Sequence, residues 1–447
     1  MKKIVIKLKQ IWSIDDLRVR ILNTLGLLLI YRIGSFITLP GIDPNAIDDL
    51  ASQGEQGLVS LINMFAGGAF SRASVFALGI MPYISASIII QLLTVAVPYF
   101  QRLQKEGEDG RNKMNQITRY LTIVVTLLQA VAYLTNLRQL VGPAIYSNDM
   151  MFNITSVIIL IAGTMFVMWL GERITDKGLG NGISLIIMVG IIARFPGSLL
   201  TEFNIGFGAE GGGLVIFLVE IFALIAVVAV VILLVQGTRR IPVNYAKRVQ
   251  GNRQYGGARQ YLPLKVNAVG VMPIIFAQAL MFIPSTVAQF ASGSDAGYFL
   301  RVLTDYTSWG YNLFFGLLIV VFTYFYTAIM VNPVQIADDL KKNNGFIPGI
   351  KPGKNTADFI DNVMSRITLP GSVFLAFVAV FPAIAIVFGV NNQFADFFGG
   401  TSLLIMVGVV LDTLQQIESH LMMRHYDGFV KSGIKGKQAM TTQQTAI

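Results

Sequence analysis

Apolar residues recur along this chain in long runs, and short polar or Gly/Pro-rich stretches separate them. Ten of the runs reach the roughly 20 residues that a helix needs to cross a hydrocarbon core. They lie at about 20–39, 73–98, 117–137, 152–171, 181–200, 213–236, 267–291, 310–333, 367–390 and 400–423. The pattern predicts ten transmembrane helices joined by hydrophilic loops.

Composition agrees. Of 447 residues, 54% are hydrophobic and 13% are charged, whereas a soluble domain carries about 25% charged residues. The absence of cysteine excludes disulfides and thiolate metal sites. His420 and His425 close the last run and read as interfacial residues rather than ligands. The amino-terminal MKKIVIKLKQ is basic and lacks a following A-x-A site, so it reads as a cytoplasmic segment.

Charge sets the orientation. Residues 1–20 carry six Lys/Arg, 101–119 five, 238–265 seven, 334–366 five, and the tail from Arg424 four. With Arg173 and Lys177 these account for 29 of the 34 basic residues, and the alternate loops hold few. By the positive-inside rule both termini are expected in the cytoplasm, which an even number of spans satisfies. Loop 238–265 has no Asp or Glu and interleaves Tyr245, Tyr255 and Tyr261 with its basic residues. That composition suits anionic lipid headgroups or the docking of a cytosolic partner, including one that carries RNA. Loop 334–366 exposes a Gly/Pro-punctuated tip, a usual place for function.

No catalytic constellation is present. The GLGNG stretch at 178–182 lacks the Lys-Ser/Thr of a phosphate loop and reads as a tight turn capping the fifth span. Ionisable residues within the spans are Arg32, Glu220, Asp412 and Glu418. Buried charges in membranes are functional candidates, but these four read as interfacial or helix-packing residues. So few charges argue against a coupled ion pump, and any energy source must lie outside the chain. No enzyme activity and no cofactor are expected.

The stretch GLVSLINMFAGGAFSR at 57–72 is apolar and helix-prone yet too short to span. It reads as a half-helix re-entering the membrane on a Gly67-Gly68 hinge, or as an interfacial helix on the outer leaflet.

Two six-residue stretches repeat: GIMPYI at 79–84 and GVMPII at 270–275. Counting from the adjoining loops, Ile84 lies 12 residues into the second span and Ile275 lies 10 into the seventh. At ~1.5 Å per residue both reach the midplane of a ~30 Å core, from opposite faces. Such matched, Gly/Pro-interrupted helices predict two inverted repeats, spans one to five and six to ten, bordering a central site. The prolines are expected to bend their helices. The residues at this depth are isoleucines, which form a hydrophobic constriction rather than a solute site. A secondary transporter or a flippase would share the inverted repeats but would need polar or charged midplane residues.

Long stretches resemble the SecY family, the channel subunits of bacterial protein translocases. They include NMFAGGAFSRASVFALGIMPYISASIIIQLLT (63–94) and MWLGERITDKGLGNGISLIIMVGI (168–191). RRIPVNYAKR, LPLKVN, GVMPIIFA, NPVQIADDLKKNNGFIPGIKPG (332–353) and GGTSLLI (399–405) resemble it as well, so the likeness runs from about Arg20 to Met423.

The resemblance implies an all-α polytopic membrane protein with ten transmembrane helices in two pseudo-symmetric inverted halves around a central pore. The halves are 1–200, with a plug at about 58–70, and 201–447, with cytoplasmic docking loops at 238–265 and 334–366. It implies a pore ring at Ile80, Ile84, Ile183, Ile187, Ile275 and Ile405. The plug would include Leu61, Ile62, Asn63, Met64, Phe65, Gly67 and Gly68. The lateral gate falls on Ser85, Ile88 and Ile283. Docking of the SecA ATPase or a translating ribosome falls on Arg239, Arg240, Lys247, Arg248, Arg253 and Lys351. SecE and SecG are the implied membrane partners, membrane lipids surround the gate, and unfolded preproteins and signal peptides are the implied substrates.

Three positions depart from the family pattern: Lys351 and Asn252 stand where arginine is usual, and Val334 follows the Asn332-Pro333 pair. Lysine keeps the charge at 351 but loses arginine's planar fork.

Overall fold

A computed structural model describes residues 12–43, 66–141, 150–207, 213–245, 248–250, 253–255, 259–267, 269–278, 280–281, 302 and 308–444. Helices dominate. They are α1 (Asp15–Gly34), α2 (Met81–Ala96), α3 (Pro98–Lys105), α4 (Glu108–Val141), α5 (Met150–Lys177), α6 (Gly182–Phe207) and α7 (Gly213–Gln236), then α8 (Trp309–Met330), α9 (Pro333–Lys342), α10 (Lys354–Val387), α11 (Asn392–Ala395) and α12 (Gly400–Gln444). Among the described residues seven helices are long and apolar enough to cross a membrane, or eight if the bent pair α2–α3 is one span. The expected seventh span is helical at 272–278 and 280–281, and its remainder lies outside the described residues.

The chain divides into two compact units. One comprises Met1–Glu55, Ile62–Arg194 and Val409–Ile447; the other comprises Gln56–Leu61 and Phe195–Gly408. In the first, α4 packs along α2 and α5, and α1 packs along α5. Its core gathers Leu39, Ile42, Leu78, Tyr133, Leu134, Leu137, Phe152 and Leu160. The turn between α5 and α6 is the expected tight cap. Gly180 takes a φ of +76°, and the Asn181 side chain accepts from the Ile183 and Ser184 N–H groups. Thr24 Oγ1 accepts from the Leu179 N–H at 3.0 Å and Gln416 Oε1 from the Gly180 N–H at 2.9 Å, so side chains satisfy this buried turn.

In the second unit α8 packs along α10. The basic segment after α7 folds into strands β1 (Thr238–Tyr245), β2 (Arg248–Gln250), β3 (Arg253–Tyr255) and β4 (Arg259–Lys265). β1 pairs antiparallel with β4, and on its other edge with β5 (Gly345–Phe346) through Asn244↔Phe346 and Tyr245↔Gly345. Segments of the two long loops thus share one three-stranded sheet, in the order β4-β1-β5. Ile241, Val243 and Leu264 from the sheet pack on Leu340, Ile347, Ile360 and Met364. α9 begins at the Asn-Pro pair: Asn332 accepts from the Val334 and Gln335 N–H groups at 3.2 Å, and Pro333 sits where no N–H partner is needed.

The first and second spans differ from expectation. The first span leaves the helix at Gly34 rather than at 39, and its continuation bridges Thr38 to Ser74. The helix expected over 73–98 begins only at Met81, because residues 66–80 form successive turns with Ala73 at φ +45° and Gly79 at φ +53°. Of the half-helix expected at 58–70, residues 66–70 are turns, and residues 58–65 lie outside the described residues. Pro82 therefore does not bend a helix. It occupies the first turn of α2, where its missing N–H costs nothing. Pro273 falls in the first turn of the 272–278 helix in the same way.

Candidate pore and gate residues

Each copy of the repeated stretch builds one local structure. A glycine in the left-handed region ends the preceding segment, at φ +53° for Gly79 and +67° for Gly270. A proline then starts a helix, and the isoleucine two residues on bonds back to the carbonyl four residues before it. Ile84 N–H donates to the Ile80 carbonyl at 3.1 Å, and Ile275 N–H donates to the Val271 carbonyl at 3.3 Å.

Ile80 caps α2 and is buried, and Ile84, one turn on, is half-buried. On α6, Ile183 and Ile187 are likewise one turn apart, and Ile183 packs on Gly171 of α5. A Cβ at Gly171 would come within 2.9 Å of Ile183 Cγ1, so only glycine admits this approach. Ile275 and Ile405 belong to the second unit. There Gly408 brings α12 against the repeat, since a Cβ on it would meet Val271 Cγ2 at 3.2 Å.

Of the expected gate positions, Ile88 is buried, and Ser85 Oγ donates to the Met81 carbonyl at 3.1 Å. Ile283 lies outside the described residues, as do Lys247, Asn252 and the expected plug residues Leu61 to Phe65.

The Gly67-Gly68 hinge is described, with φ of +64° and +85°. It starts the long non-helical stretch 66–80, whose carbonyls are taken up one after another by α1 and α4. Tyr31 Oη donates to Ala66 O at 3.4 Å, Arg32 Nη1 to Gly67 O at 2.8 Å, and Tyr133 Oη to Phe70 O at 2.9 Å. Irregular backbone persists at membrane depth only where protein satisfies it in this way. Sequence inspection singled out Arg32 as an ionisable residue in a span but did not connect it to the hinge.

The expected docking positions are spread over the three-stranded sheet, the separate β2–β3 hairpin and the turn before α10. Arg239 and Arg240 are exposed and pair with Leu264 and Pro263. Arg248 faces Tyr255 and Arg253 faces Gln250 in the β2–β3 hairpin. Lys351 is exposed in the turn between Gly349 (φ +83°) and Gly353 (φ +102°), and its carbonyl accepts from Thr356 Oγ1 at 3.0 Å. Nothing in the residues hinted at β5, because a two-residue strand carries no periodicity of its own.

The family model for SecY matches residues 74–414. This chain belongs to the SecY family. It is 46% identical to the protein translocase subunit SecY of Streptomyces galbus over 430 residues, covering 93% of this chain and 97% of that protein. It is 48% identical to the Mycobacterium bovis subunit over 438 residues, with the same coverages. Among solved structures it resembles a protein conducting channel, with a TM-score of 0.64 at 18% identity over 90% of this chain and 92% of that one. It also resembles a SecY protein whose plug domain stabilises the closed state of the translocation channel and maintains a membrane seal, with a TM-score of 0.59 at 18% identity and the same coverages. As a member of this family of translocation channels, the chain is a multi-pass membrane protein of the bacterial membrane and a protein-conducting channel rather than an enzyme.

Proposed function

We propose that the chain forms the pore through which unfolded preproteins cross the cytoplasmic membrane, and that it releases hydrophobic segments sideways into lipid. The observation that carries this reading is the pair of matched helix starts, each presenting an isoleucine just beyond its proline. Ile80, Ile84, Ile183, Ile187, Ile275 and Ile405 have no polar atom to bind a solute. A ring of such side chains excludes water and ions by dewetting, yet it makes no specific bond to a chain passing through.

In this reading the halves 1–200 and 201–447 border the pore, and the segment at 58–70 plugs it at rest. α2, with Ser85 and Ile88, parts from the seventh span, with Ile283, to open a path to lipid. SecE and SecG complete the membrane complex, and both termini lie in the cytoplasm. The basic sheet and the Lys351 turn receive SecA or a translating ribosome, which supplies the work that this chain has no chemistry to provide.

Proteoliposomes holding the chain with SecE and SecG test this. SecA and ATP are expected to drive a preprotein into a protease-protected space. The joint reversal Arg253→Glu and Lys351→Glu is expected to lower the rate about tenfold, equivalent to about 1.4 kcal/mol of lost docking energy. Unchanged transport in the double variant would remove both residues from the docking surface. No transport by the unaltered chain would sink the reading itself.

A further inference from the structure

We propose that Glu202 of α6 and Glu220 of α7 form a proton-binding site, in which two carboxyls hold one proton between them.

Both helices are almost free of charge. Glu220 is the only charged residue of α7, and α6 carries only Arg194 and Glu202. Ring contacts bring the elements together. Phe203, next to Glu202, meets Phe217 edge to face with centres 5.5 Å apart. Phe217 lies one turn before Glu220, on the same face of α7. Phe195 of α6 meets Phe397 with centres 5.1 Å apart, which seats the segment around α11 against α6.

The two carboxyls touch. The Glu202 and Glu220 side chains hydrogen-bond to each other, and the Asn391 backbone N–H donates to the Glu202 carboxyl. A carboxylate only accepts, so a hydrogen bond between two carboxyls requires that one of them carry a proton. Asn391 decides which. A backbone N–H favours an ionised acceptor, so Glu202 keeps the charge and Glu220 the proton. The donor is itself held in place. Asn391 caps α11, its side chain accepting from the Gln393 N–H at 2.9 Å, and the chain reaches it through Gly389 at φ +95°.

Glu202 is only 5% exposed, and among the described residues its Oε2 has no hydrogen-bond partner. Burying two carboxylates side by side calls for positive charge. The neighbouring segments supply none: neither 195–237 nor 367–408 contains a Lys or Arg. The other charged groups on these elements are Arg194, just over two turns before Glu202, and Asp396, in the turn after α11; each is engaged in an interaction of its own. A metal cation would face the Asn391 N–H, a donor aimed at the same carboxyl, so the site suits a proton. α6 carries the fifth expected span and α7 the sixth. The shared proton therefore ties the last helix of one proposed repeat to the first helix of the other.

Two separate glutamates in the unfolded chain have both lost their protons at neutral pH, whereas the folded pair keeps one. The folded state then binds more protons, and stability falls as pH rises. The thermal midpoint of the full chain, purified with its membrane partners in detergent, tests this. Going from about pH 6 to about pH 9 is expected to lower the midpoint of the unaltered complex a few degrees more than that of Glu220→Gln. The amide stands in for the protonated carboxyl: it donates to Glu202 and does not titrate.

Equal pH dependence in the two proteins would overturn the proposal. So would a midpoint that rises in the unaltered complex, but not in Glu220→Gln, when sodium or calcium chloride replaces choline chloride at equal ionic strength. A metal cation would then occupy the site. Should Glu220→Gln fail to assemble, Glu202→Gln removes the like charge, and its amide donates to Glu220 once that group ionises. A flattened pH dependence then supports the shared proton, and an undiminished one rejects it. Each outcome reads stability alone, so none depends on whether the chain conducts.

Discussion

Gly79 and Gly270 stand nearly two hundred residues apart and hold the same left-handed backbone, at φ +53° and +67°. In each case the next residues start a helix with proline in its first turn. An alanine Cβ at position 270 would touch nothing within 4 Å, so the cost of Gly270→Ala is conformational alone. At position 79 the Cβ would add only an ordinary contact with Ala66, at 3.6 Å. Each substitution is expected to destabilise the purified complex by about 1–2 kcal/mol, seen as a lower thermal midpoint in detergent.

Ile84→Ser and Ile275→Ser put a hydroxyl where the proposed constriction is driest. Each is expected to raise the resting conductance for small ions, and the pair to raise it further, because wetting depends on the whole ring. Planar-bilayer recording checks this, and conductance equal to that of the unaltered channel would count against the ring.

The β1–β5 join is open to a backbone test. Phe346→Pro removes a ladder N–H opposite Asn244 and is expected to detach the two-residue strand. SecA-driven transport should fall severalfold while resting conductance stays unchanged, since the sheet belongs to the proposed docking surface and not to the proposed pore ring. A matched loss of both would mean that the whole unit had been damaged.

Arg119 of α4 grips Glu172 of α5 with both ends of its fork, Nη2 lying 2.9 and 2.8 Å from the two carboxylate oxygens and Nε 3.2 Å from Oε1. Both side chains keep partial exposure, 46% and 30%, so solvent screens the pair. A double-mutant cycle with Arg119→Met and Glu172→Gln is expected to return a coupling of about 0.5–1 kcal/mol, smaller at high salt.

Removing the α9 cap with Asn332→Ala leaves the Val334 and Gln335 N–H groups without their acceptor. The expected cost is about 1 kcal/mol. Asn332→Asp, which keeps an acceptor, should recover most of it in the same denaturation assay.

Hydropathy made the helices legible because an apolar run of membrane length has few other uses. The motifs around Ile84 and Ile275 were legible as a pair because proline and glycine constrain the backbone locally. Their role was misjudged for the same reason. Proline in an apolar run signals a bend or a start, and only the turns over 66–80 decide that Pro82 begins a helix. The links between distant segments were not legible. The Tyr31 and Arg32 bonds to carbonyls 35 residues away depend on which side of α1 meets the turns, and the Asn244↔Phe346 pairing joins two loops across α8 and α9. Neither leaves a periodic trace in the residues.

The corner at Val97–Pro98 turns α3 by 98° from the axis of α2. When α2 stands across the bilayer, α3 lies in the plane of its surface, with Gln101, Arg102 and Lys105 exposed and Leu103 buried. Drawing α2 deeper would drag Arg102 and Lys105 into hydrocarbon, at about 2.5–3.5 kcal/mol for each charge that reaches the centre. α3 therefore acts as a float fixed to the end of the helix and holds α2 at its depth.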